Sequence, residues 1–176
     1  MRKIYDNDEI RKLAKIIDVL ARKCWRGLPA LMGDEPRPTR EQMKQAFFFR
    51  PSPEVDIGIR VQGGRLTDGD EVEREDTMID EVDSVLAAFQ WEELVRTVRR
   101  YAEEYPRNWA IYKRYIINQE QTKSGWGRDG ALARTAAQFD TTDYIIRETA
   151  RSVPYEIARA VSMGYCRDEV ELKAGE

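Results

Sequence analysis

Between residues 7 and 24 the apolar side chains Ile10, Leu13, Ile17, Leu20 and Cys24 recur three and four apart. That spacing puts them on one stripe and predicts an amphipathic helix capped by Asn7 or Asp8. A turn-rich stretch with Gly27, Pro29, Gly33, Pro36 and Pro38 follows, and Thr39, Arg40, Glu41 and Gln42 then spell a capping box. A short helix is therefore expected from Arg40 to about Phe48. Past Pro51 and Pro53 the period drops to two: Val55, Ile57, Ile59 and Val61 alternate with Asp56, Gly58 and Arg60, the pattern of a strand with one buried face. Gly63 and Gly64 suit a tight turn, so a β-hairpin is predicted near 55–67.

Helical spacing returns at Thr77, with Ile79, Val82, Leu86 and Phe89, and continues through Leu94, Val95, Val98 and Tyr101 towards Pro106. Asn108 can cap a further helix carrying Trp109, Tyr112, Tyr115 and Ile116. The polar stretch 118–130, with Gly125 and Gly127, reads as a connector. Two short helices joined by a tight turn are expected over 131–153. Ala136 is small where they approach, Phe139 fills the core, Asp140 occupies the turn where left-handed geometry is common, and Thr141 or Thr142 caps the second helix. That second helix should bury Ile145 and Ile146 and stop before Pro154. A last helix with Tyr155, Ile157, Ala158 and Val161 should end at Gly164.

The expected class is mainly α with a small β-hairpin (α+β), ending in a helix-turn-helix bundle. Residues 1–76 form an N-terminal α/β portion with the hairpin and an acidic loop, and 77–176 form a C-terminal helical domain. With 176 residues, 41% of them hydrophobic, the chain can bury a core. It lacks a long apolar run, so a soluble, cytoplasmic protein without membrane insertion is expected.

Charge refines this picture. The chain has 29 basic and 32 acidic residues, formally −3, yet residues 66–83 alone hold nine acidic and one basic side chain. The rest is mildly basic. Histidine is absent, which removes Ser-His-Asp and Cys-His pairs, HExxH sites and Cys/His zinc fingers. Cys24 and Cys166 have no metal or CxxC spacing and read as ordinary reduced thiols. No glycine-rich phosphate loop or GxSxG appears. The expectation is a protein that is not an enzyme, with no catalytic residues, no metal ligands and no cofactors.

The bihelical unit over 131–153 follows the helix-turn-helix plan. With the preceding helix Trp109-Ala-Ile-Tyr-Lys-Arg-Tyr-Ile116, residues 94–161 resemble helix-turn-helix transcription regulators and, more loosely, the promoter-reading C-terminal region of sigma factors and sigma-like phage regulators. The sequence departs from that pattern at Asp140, where Gly is usual, at Thr141 and Thr149, where apolar residues are usual, and in the length of the connector 118–130. The resemblance implies a DNA-binding transcriptional regulator of phage or mobile-element type, with double-stranded DNA as partner. The helix beginning at Thr142 would enter the major groove, making Thr141, Thr142, Tyr144, Arg147 and Arg151 candidate base or phosphate contacts. Arg128 and Arg134, with the amides at the start of the first helix, would hold phosphate. Asp143 and Glu148 on the same helix oppose a phosphate backbone.

A second class of function also fits. The acidic residues Asp68, Asp70, Glu71, Glu73 and Glu75 fail the calcium-loop pattern, since counting from Asp68 puts Glu73 where Gly is needed and Ile79 where Glu is needed. They can form a solvated loop or dock on a basic protein. Trp126, flanked by glycines, is a candidate exposed anchor, and Phe47, Phe48 and Phe49 cannot all share one helix face. These features suit a non-enzymatic inhibitor, anti-CRISPR-like or directed at a polymerase, that binds a nucleic-acid-handling complex. A protein partner or homodimer is compatible with either reading.

Overall fold

The first apolar stripe forms helix α1, Asn7–Lys23, with Ile10, Leu13, Ile17 and Leu20 buried along it. The computed structural model describes residues 7–47, 91–121 and 130–166. A short helix the sequence did not suggest, α2 (Gly27–Leu31), follows at once. Pro29 is tolerated there because the first turn of a helix leaves its amides unpaired in any case. Gly27 is required by close approach: a Cβ on it would lie 1.7 Å from the carbonyl oxygen of Leu20.

The capping box forms as spelled. Thr39 Oγ1 accepts from the amide of Gln42 at 3.2 Å, and Gln42 Oε1 accepts from the amide of Thr39 at 3.0 Å, opening α3 (Arg40–Phe47). Helix α4 (Trp91–Glu104) buries Leu94, Val95, Val98 and Tyr101. Helix α5 spans Pro106–Gln121, starting two residues before the expected cap Asn108 and running into the predicted connector. Pro106 stands at its first position, where a fixed φ and a missing amide cost least. Helix α6 (Ala131–Gln138) and helix α7 (Asp143–Ser162) complete the described elements.

Two expectations are corrected. Every element among the described residues is helical and no strand occurs among them, so the α+β class gives way to a mainly helical one; the residues assigned to the hairpin, near 55–67, lie outside the described residues. Pro154 does not separate two helices but sits inside α7. An interior proline costs about 3 kcal/mol. Burial of Val153, Ile157, Ala158 and Val161, each inaccessible to solvent, offsets it at about 1.5–3 kcal/mol for each of the larger side chains. The helix ends as predicted at Gly164, with φ 70°, where the amides of Gly164 and Tyr165 reach back to the carbonyls of Val161 and Ala160.

One apolar cluster draws on α1 to α5 and on α7 from Ala150 onward. A second, much smaller one, Ile111, Ala136 and Ile146 with Leu132, Phe139 and Tyr115 against it, lies under the turn between α6 and α7. Helix α1 packs along α7 more extensively than any other pair of elements meets. Both cysteines are buried and free, and burial pushes the Cys24 thiol up.

Candidate nucleic-acid interface

Helices α6 and α7 meet through a turn whose conformation follows from its residues. Asp140 has φ 50°, in the left-handed region, and the amide of Thr141 donates to the carbonyl of Ala136 at 2.9 Å, which closes α6. Aspartate tolerates this conformation better than most residues other than glycine. Thr142 caps α7, its hydroxyl accepting from the amide of Ile145 at 3.4 Å.

Polar contacts fix this elbow on α5. Arg107 donates to the carbonyl of Phe139 at 3.2 Å. Asn118, buried, donates to Thr135 Oγ1 at 2.9 Å and to Gln138 Oε1 at 3.0 Å, while the Thr135 hydroxyl donates to the Ala131 carbonyl at 2.7 Å. Buried polar groups satisfied in this way fix one register between two helices.

On α7 the first turns present a surface. Tyr144 is 67% exposed, Ile145 44%, and Arg147, Glu148 and Arg151 are exposed as well. Ile145 was expected in the core; the helix phase instead turns Ile146 inward, where it is inaccessible to solvent, and leaves Ile145 outside. Arg151 lies 3.7 Å from Glu148, an exposed pair of little energetic weight. Arg134 is exposed on α6, and Thr141 is half-buried in the turn. Of the predicted nucleic-acid contacts, Arg134 thus lies on α6, Thr141 and Thr142 in the turn, and Tyr144, Arg147 and Arg151 on α7. Arg128 lies outside the described residues, as do Asp68, Asp70, Glu71, Glu73, Glu75 and Trp126.

The other wall of this surface is not apparent from the sequence. Arg147 and Arg151 face a groove of about 360 Å³ whose opposite side is α1, with Lys15, Asp18 and Arg22 lining it and Tyr115 at its base. Asp18 accepts from Arg22 Nε at 2.7 Å and from the Tyr112 hydroxyl at 2.8 Å. Arg22 also donates to Gln119 and lies over the rings of Tyr115 and Tyr112, at 5.2 and 5.9 Å from their centroids. Burial together with the neighbouring Asp18 charge pushes the Tyr112 phenol well above its ordinary range. Burial opposes the Arg22 charge, but Asp18 and the two tyrosines outweigh it and raise its pKa. The spacing of Lys15, Asp18 and Arg22 was the available signal; nothing local could say that α7 would lie opposite.

Among the described residues no group of three His, Cys, Asp or Glu side chains is placed to hold a metal ion, and no helix is long and apolar enough to cross a membrane. Compared with protein-family models, with curated proteins and with solved structures, the chain matches none.

Proposed function

We propose that this protein is a DNA-binding transcriptional regulator that reads duplex DNA with α7. The observation that carries this reading is the elbow at Asp140. A short helix, a left-handed turn residue and a capped second helix together leave Tyr144, Ile145, Arg147 and Arg151 directed outward while Ile146 alone anchors the first turn of α7. A helix about 10–12 Å across fits a major groove of about 12 Å, so the outward side chains of its first turns would meet base edges.

The roles follow from chemistry. Arg147 can donate two hydrogen bonds to guanine, the exposed Ile145 suits a thymine methyl, and Asp143 and Glu148 can accept from the cytosine amino group. Read this way, the two carboxylates select sequence at some expense to non-specific affinity. Arg134 and the first amides of α6, which no side chain caps, suit a phosphate.

The test is selection from a pool of random-sequence duplexes, followed by binding measurements at several salt concentrations. A preferred sequence should emerge, affinity should fall steeply with salt, and Arg147→Ala should weaken binding by about 1–3 kcal/mol and relax preference at one base pair. Absence of any duplex binding at low salt would overturn the reading.

A further inference from the structure

On α1, Arg11, Lys15, Asp18 and Arg22 stand at i, i+4, i+7 and i+11, one face of a 3.6-residue helix. On α7, Arg147, Ala150, Arg151 and Pro154 stand at i, i+3, i+4 and i+7. Apart from Arg11, these residues line the walls of the groove between the helices. Four cations, Lys15, Arg22, Arg147 and Arg151, line it against one carboxylate, Asp18.

That carboxylate is already engaged by the Arg22 guanidinium and the Tyr112 hydroxyl. Neither Lys15 nor Arg147 has an acidic partner within ion-pair distance among the described residues. Among the described residues the groove thus carries positive charge on both walls that no ion pair offsets, at Lys15 and at Arg147. Arg22, held by Gln119 and the faces of two tyrosine rings, keeps the Asp18 charge neutralised and the wall of α1 fixed.

We infer that this groove seats a backbone phosphate of the duplex that α7 reads, with Lys15 of α1 supplying the contact from one wall and Arg151, whose exposed pair with Glu148 at 3.7 Å is of little energetic weight, from the other. The inference rests on the DNA-binding reading and adds an element to it. A helix inserted in the major groove nearly fills its width, so whatever packs against the flank of that helix lies over one of the two bounding backbones. Helix α1 occupies that flank. Its charge is complementary to phosphate, and a cation at this place adds affinity and register without reading sequence.

The experiment uses the full chain and the duplex pool, comparing wild type with Lys15→Gln, Lys15→Arg and, as a control outside the groove, Lys23→Gln. Lys15 and Lys23 are both exposed, so circular dichroism melts should coincide. Lys15→Gln should lower the slope of log affinity against log salt by about 0.9, the value of one phosphate contact, which is about eightfold in affinity at 0.1 M salt. Lys15→Arg should restore the wild-type slope, Lys23→Gln should leave it unchanged, and the selected sequence should stay the same in all four. If wild type binds duplex but Lys15→Gln keeps the full slope, or if Lys23→Gln loses as much, the phosphate seat is wrong and the reading helix stands. If wild type binds no duplex, the DNA-binding reading fails and the seat falls with it.

Discussion

The two halves of α7 have different relations to the rest of the molecule. From Val153 onward the helix is a core element: Val153, Ile157, Ala158 and Val161 are inaccessible to solvent and belong to the large apolar cluster. In the first half the buried set thins to Ile146, Thr149 and Ala150, and Tyr144, Ile145, Arg147 and Arg151 face out. One continuous helix thus anchors itself at one end and displays side chains at the other. Pro154 marks the junction, where a break would have uncoupled the display from the anchor. The polar pegs Asn118–Thr135 and Arg107–Phe139 supply from α5 the hold that the small cluster under the elbow does not.

This contrast can be broken by substitution. Ile157→Ala, in the anchored half, should destabilise by about 2–5 kcal/mol, whereas Ile145→Ala should fall within about 0.5 kcal/mol of wild type. Denaturant titration of both variants checks this, and equal losses would mean that the first half is packed too. Asn118→Ala, which removes the buried donor to Thr135 and Gln138 on α6, should cost about 1 kcal/mol. It should also loosen the elbow, read as faster amide exchange over 131–142 than over 153–162.

At the turn, Asp140→Gly should stabilise by up to about 1 kcal/mol by relieving the left-handed strain, while Asp140→Val should destabilise by about 1–2 kcal/mol. Thr142→Ala should cost about 0.5–1 kcal/mol, at the low end for a cap because its hydrogen bond is long.

Tyrosine ionisation supplies a pH test of the core. Tyr101, buried and donating to Glu156 at 2.6 Å, and Tyr112, buried and donating to Asp18, both have their pKa raised by burial and by the adjacent carboxylate. The folded state thus keeps protons that the unfolded chain loses near the ordinary tyrosine value of about 10. Their contribution is complete below that pH and is lost as pH rises above it. Stability should fall on the alkaline side of about pH 10, and Tyr112→Phe should flatten part of that fall.

Much of this fold was legible locally. The α1 stripe, the Thr39–Gln42 box, the left-handed Asp140 and the Gly164 stop are decided by nearest neighbours along the chain and formed as expected, and of the two candidate caps Thr141 and Thr142 it is Thr142 that caps α7. What failed was decided by distant packing. Pro154 was read as a terminator because the local rule is strong, but the surrounding core kept the helix whole. Ile145 and Ile146 are equally apolar, and only the placement of Ile111 and Ala136 decides which one is buried. The stretch at Gly27 and Pro29 looked like turns, yet close approach to α1 makes a helix of it. The groove between α1 and α7 left no trace in periodicity, since each wall reads alone as a solvated charged face.

The central claim is that the elbow and the first turns of α7 meet duplex DNA. Amide chemical-shift mapping with a selected duplex tests it most directly. The expected shifts cluster on residues 130–151 and at Lys15, leaving the buried end of α7 unmoved; shifts confined to other surfaces, or none at saturating duplex, would contradict the account.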